Sequence, residues 1–172
     1  MKRHPSLHPL SRDHHHALVQ ARKLILAAAA NDPGSLAQAA ELFAGFWESD
    51  LQAHFVQEEQ ILLPLLARHT SPDGSEIKET LRQHTEIARL VTELKDKLAR
   101  RETLEATLLE ALGEALRQHI RFEESDLFPA LESLATEDEL WRMNEQLEAA
   151  RSQAGTGGCA LSPRPQETEA RR

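Results

Sequence analysis

Apolar residues recur along most of this chain at the three- and four-residue intervals of an amphipathic helix. Ala17, Leu18, Ala21, Leu24, Ile25 and Ala28 predict a first helix from about Leu10 to Ala30, behind an irregular arm over 1–9 that holds two prolines. Asn31-Asp32-Pro33-Gly34 has the composition of a turn, and Ser35 is placed to cap a second helix from about Leu36 to Arg68. That helix carries Phe43, Phe46, Trp47, Leu51 and Phe55 and then Ile61, Leu62 and Leu65. Pro64 should kink it or open its last turn. After the breaker cluster Thr70-Ser71-Pro72-Asp73-Gly74, the stripe Leu81, Ile87, Ala88, Val91, Leu94 and Leu98 predicts a third helix over Ser75–Arg100. Arg100-Arg101-Glu102-Thr103 has no Gly or Pro, yet one helix over 75–130 would be too long for a globular domain, so a tight connection is expected there before a fourth helix over Leu104–Phe128. Thr136-Glu137-Asp138-Glu139 is a capping box for a short fifth helix to about Ala150. The expectation is an all-α, up-down-up-down four-helix bundle over 8–150, with a short extra C-terminal helix, and a disordered Gly-, Pro- and charge-rich tail over 151–172.

On this pattern lies a repeat. His54-x-x-x-Glu58-Glu59 is followed by Pro64, and His119-x-x-x-Glu123-Glu124 by Pro129, at the same spacing. An imidazole and a carboxylate four residues apart share one helix face, a two-ligand clamp for a cation. Each predicted helix before a clamp also carries histidine: Asp13-His14-His15-His16 on the first, His84 on the third. The clamps are 65 residues apart and His14 and His84 are 70 apart, so the chain reads as a duplicated helix hairpin. Successive helical residues point about 100° apart, so His14–His16 cannot all face one site. His14 has the continuous apolar face and is favoured as ligand; His15 follows closely, as ligand, outer contact or gate; His16 is expected outside. The expected metal ligands are thus His14, His15, His54, Glu58, His84, His119 and Glu123. Mixed imidazole and carboxylate donors suit iron, manganese or zinc, and two spanning carboxylates favour two ions. Glu59 and Glu124 are expected to reach neighbouring helices or solvent, and His69 to close the second helix at its negative end.

Composition narrows the picture. A net charge of −8 without a basic stripe argues against nucleic acid, and no apolar run approaches a membrane span. The opening Met1–Pro5 lacks the apolar stretch of a secretory signal, and the single Cys159 excludes an internal disulfide and a cysteine-based cluster, so a cytoplasmic setting is expected. No Glu lies three residues before a His, as ferritin-type bundles require, and His-Glu-x-x-His is absent.

The Asp13-His14-His15 opening, both HxxxEE…P stretches and His84 resemble the hemerythrin-like (HHE cation-binding) family over about residues 8–132. The resemblance implies a bundle holding two irons, bridged by Glu58, Glu123 and an oxo or hydroxo group, with histidines completing the coordination. Two departures stand out. Oxygen-carrying hemerythrins have His-x-x-x-His on the third helix, where this chain has His84 and Ala88; they end in His-x-x-x-x-Asp, where this chain has His119-x-x-x-Glu123. One histidine ligand is therefore missing, which leaves an open position and counts against simple reversible O2 carriage. The leading expectation is a di-iron protein that binds O2 or a related small oxidant such as peroxide, or NO, in sensing or in redox and iron homeostasis. The alternatives are an enzyme reducing peroxide or NO at the same centre, and iron storage or a structural metal site.

Overall fold

The computed structural model describes residues 3–156, and every regular element among them is helical. The first prolines do not leave an irregular arm. Pro5–Leu7 is a 3-10 turn capped by the His4 side chain, and α1 (His8–Ala30) begins two residues before Leu10, with Pro9 in its first turn where a missing N–H costs nothing. α1 stops at Asn31, whose left-handed backbone (φ 49°) returns its N–H to the carbonyls of Ala27 and Ala28. Asp32, rather than Ser35, caps the next helix: its carboxylate accepts from the Ser35 N–H at 2.8 Å, with Pro33 in the first turn behind it.

α2 (33–69) is one rod in which the α-helix is interrupted twice by π turns, Trp47–Leu51 and Glu58–Leu62. α3 spans Ser75–Arg100 and ends on Arg101 in the left-handed region (φ 53°), which makes the tight break with no glycine at that point. α4 (106–134) contains a third π turn, Glu123–Leu127. The N–H of Leu63 bonds to the carbonyl of Glu58 and that of Phe128 to Glu123, each five residues back. Pro64 and Pro129 follow directly. In an α-helix each ring would press on the carbonyl four residues earlier, and the wider turn ahead of it makes room. α5 (Glu137–Thr156) starts from the expected capping box, with the Glu139 carboxylate accepting from the Thr136 N–H at 3.0 Å and the Thr136 hydroxyl from the Glu139 N–H at 3.3 Å. It is longer than expected, so 151–156 are helical; the remainder of the tail, with Cys159, lies outside the described residues.

α1 packs against α2 and α4, and α3 against α2 and α4. The tightest approach is at Gly113 on α4, where a β-carbon would sit 2.7 Å from Ile25 Cγ1 and 2.8 Å from the Ala21 carbonyl oxygen. Leu18 and Leu81, expected in the stripes, face outward at 37 % and 41 % exposure. The buried faces run instead through Ala17, Ala21 and Leu24 on α1 and through Ile77, Ile87, Val91 and Leu94 on α3.

The apolar interior has two parts. One lies between the helices, from Leu36, Phe43 and Leu109 to Phe55, Ile87 and Ile120. The other closes the opposite end, where Leu140, Met143 and Leu147 of α5 meet Leu7, Leu10, Leu62, Leu66, Phe128 and Leu131. Along α2, Phe55 belongs to the first part and Leu62 to the second; along α4, so do Ile120 and Leu127. The clamp residues fall between them, in the dry middle of the molecule.

Candidate metal centre

Six of the seven expected ligands converge there. Relative exposure is 0 % for Glu58, Glu123 and His119, and no more than 4 % for His14, His54 and His84. His54 Nε2 lies 3.0 Å and His14 Nε2 3.6 Å from Glu58 Oε1, while His84 Nε2 lies 3.3 Å from Glu58 Oε2. Glu123 Oε2 takes the other side, 3.0 Å from His14 Nε2 and 3.4 Å from His119 Nε2. The side chains form two groups, His14/His54/Glu58/Glu123 and Glu58/His84/His119/Glu123, in each of which the donor atoms lie within 4.8 Å of one another. Both groups contain both glutamates. His15 does not join them: it is exposed, its ring against that of His16. The reason is the 100° step between neighbours, which turns His15 outward once His14 faces in.

The outer nitrogens of the histidines are also held. Nδ1 of His14 donates to Glu124 Oε1 and Nδ1 of His84 to Glu59 Oε1, each at 2.7 Å. A carboxylate can only accept, so Nδ1 carries a proton, and Nε2 is the nitrogen left to bind a cation once its own proton is given up. His119 Nδ1 faces the Gln83 oxygen at 3.1 Å, and His54 Nδ1 faces Asp13 Oδ2 at 3.4 Å. The hairpin repeat therefore extends to these outer contacts. Asp13-His14 on α1 matches Gln83-His84 on α3, and each half's second glutamate serves the other half's leading histidine. Glu59 and Glu124 do reach neighbouring helices, as expected, but their histidine targets were missed, as were Asp13 and Gln83, whose shared trace in the sequence is the place just before the leading histidine of each half. Glu124 is further anchored by Ser11 and Arg3. Phe128 stacks on His14 (centroids 5.3 Å, 13°), and Phe55 stacks on His84 (3.9 Å, 9°) with its edge toward His119.

Within the protein the inward atoms of this cluster have charged neighbours but lack hydrogen bonds. Neither carboxylate oxygen of Glu58 or of Glu123 has a hydrogen-bond donor, nor has Nε2 of His14, His84 or His119 a partner. Burial works against the Glu58 charge, but His54, His14 and His84 outweigh it and hold the carboxyl well below its usual range. Burial, with the Glu58 charge beside it, pushes Glu123 up to about 7. Burial opposes the His54 cation, yet the Glu58 charge and Asp13 raise it to about 9, while His119, with burial less compensated, falls well below the usual range. Protons occupy places where a cation would satisfy all the inward lone pairs at once. Nitrogen and oxygen donors in this number fit iron, manganese or zinc, whose ligands sit at roughly 2.0–2.2 Å and hence within about 4.4 Å of each other.

The other histidines have different partners. His69 pairs with Glu139 of α5 at 2.9 Å, and His4 caps the first turn and meets Glu137 at 3.1 Å. His8 is exposed.

Compared with known proteins, residues 7–131 match the Hemerythrin HHE cation binding domain. No curated protein and no solved structure matches the chain significantly.

Proposed function

From its place in the hemerythrin HHE cation-binding family, to which this chain belongs, we propose that the protein is a non-haem di-iron protein that binds O2, a related small oxidant or NO, in sensing or in redox and iron homeostasis. The observation that carries the reading is that two ligand groups share both buried glutamates. His14 and His54 would hold one iron, His84 and His119 the other, and Glu58 and Glu123 would span the pair. Packing of α1–α4 in a ring through short connections supports the up-down arrangement of these four helices.

When bound, the iron pair supplies redox electrons and an open coordination position. The protein's part is to hold the donors and keep water out. Glu59, Glu124 and Gln83 fix three imidazoles in the tautomer that points Nε2 inward, and Phe55 and Phe128 wall the cluster. Beside His84, an open groove of about 360 Å³ is walled mostly by the apolar Trp47, Phe55, Val56 and Ala88, with Gln52, Thr85 and the His84-bound Glu59 also on its lining. Such walls suit a small, weakly polar ligand better than an ion. Ala88 also favours a second reading, in which the position it leaves without a histidine serves turnover of peroxide or NO.

The test is anaerobic loading with Fe(II), with iron per chain and the visible spectrum measured before and after air. Two irons per chain and oxo-bridge absorption on oxidation are expected, both lost in Glu58→Ala and Glu123→Ala. One bound zinc with no spectral change would overturn the reading. Bleaching under vacuum favours binding, and sustained peroxide consumption favours the enzyme.

A further inference from the structure

A second cavity, of about 300 Å³, opens on the other side of the centre, between α1, α2 and α5. Its character is different. Phe46, Leu51 and Ala53 give it apolar walls, but Asp13, Asp50, His16 and Gln57 also line it, and so does His54. The His54 ring is buried at 4 % exposure, and its Nδ1 faces Asp13 Oδ2 at 3.4 Å, too loosely for a well-formed hydrogen bond. Across this space stands Arg151 of α5, which pairs with Asp13 and donates from Nε to Gln57 Oε1 at 3.3 Å. Gln57 immediately precedes the ligand Glu58, and Asp13 immediately precedes the ligand His14. A guanidinium thus sits on the carboxylate that an incoming cation would meet first, one side chain away from the ligands.

Resting on the metal-centre reading above, we propose that this cavity is the loading path for a divalent cation, and that Arg151 is its latch. Asp13 and Asp50 draw the ion in from solvent around a chain of net charge −8. The ion displaces Arg151 from Asp13, passes the His54 ring, and reaches the two buried glutamates. The guanidinium then returns to Asp13 and Gln57 and closes the path.

A latch acts on rates and leaves the equilibrium alone. The Arg151 and Asp13 side chains are 27 % and 34 % exposed, so the pair holds the path closed by a modest factor. The experiment follows uptake of Co(II) into metal-free protein by stopped-flow quenching of Trp fluorescence, release into excess EDTA, and affinity by competition titration. Arg151→Gln should speed uptake and release together by about fivefold at unchanged affinity, the factor such an ion pair is worth in a rate. Arg151→Lys, which keeps the cation, should restore most of the delay. Asp50→Asn should slow uptake, an effect that a purely structural role for this face does not produce. Unchanged rates in Arg151→Gln, or a change in affinity without a matched change in both rates, overturns the latch. If the unaltered protein takes up no Co(II) at all, the metal-centre reading itself has failed, and the latch falls with it.

Discussion

Replacing Glu123 by glutamine should make the metal-free protein more stable while destroying its capacity for metal. Glu123 is fully buried, and burial together with the neighbouring Glu58 charge raises its pKa from 4.5 to about 7. A carboxyl whose folded pKa lies above its unfolded value favours folding only while it is protonated. Below pH 4.5 it is neutral in both states and costs nothing. Between 4.5 and about 7 the unfolded chain releases the proton and the folded one keeps it, so stability falls as pH rises. Above 7 the cost is complete, on the order of 3 kcal/mol from a displacement of this size. Glutamine has the same shape and no charge, so Glu123→Gln should gain under about 1 kcal/mol at pH 5 and about 3 kcal/mol at pH 8. In a domain of this size that is a rise in Tm of roughly 6–12 °C at the higher pH. The assay is thermal unfolding of chelator-treated protein at the two pH values. An advantage that fails to grow between pH 5 and 8, or a variant less stable at pH 8, would refute the reasoning. The same variant should lose the rise in Tm that metal confers on the original protein.

Three further outcomes are expected. Glu59→Gln, which leaves His84 with a weaker acceptor in place of the 2.7 Å carboxylate contact, should lower metal affinity about 10–100-fold with little change in metal-free stability, read by competition titration. Gly113→Ala should destabilise the fold by about 1–2 kcal/mol in urea unfolding, because overpacking against the Ala21 carbonyl exceeds the gain in helix propensity. His69→Ala should leave metal content unchanged and cost under about 1 kcal/mol, since its contact is the part-exposed pair with Glu139.

The helices and the six inward ligands were legible in the chain because their signals are local and periodic. His54 and Glu58, or His119 and Glu123, share a face wherever the helix packs, and the duplication says that the face is internal. His15 was not separable from His14 on spacing alone: what decides between them is the rotation of α1 set by burial of Ala17, Ala21 and Leu24. Leu18 and Leu81 mislead in the same way, since a leucine at a stripe position is no signal of which neighbour the stripe meets. The contacts of Asp13, Gln83, Glu59 and Glu124 with histidines are products of helix–helix distance, which no interval within one helix encodes. The π turns left a trace in Pro64 and Pro129, whose rings need room at the carbonyl four residues back, but the apolar stretches between them are too short to show the change of phase. The length of α5 was underestimated because the residues past Ala150 have little apolar pattern; Arg151 engages Asp13 and Gln57 through polar contacts instead.

If the two groups hold two ions as proposed, the pooling of Glu58 and Glu123 between them gives the six donors different genetic characters. A histidine is private to one position: losing His54 leaves the His84 and His119 position with its full set of donors. A glutamate is common property, and changing either one is felt at both positions and in both hairpins at once. Each hairpin keeps two histidines of its own and borrows one carboxylate, so neither half can drift at its glutamate without disabling the other, while the histidines of the two halves are free to diverge. In a lineage begun by duplication, substitutions that tune one metal position should therefore collect at the histidines and their outer partners, as the difference between Asp13 and Gln83 already does.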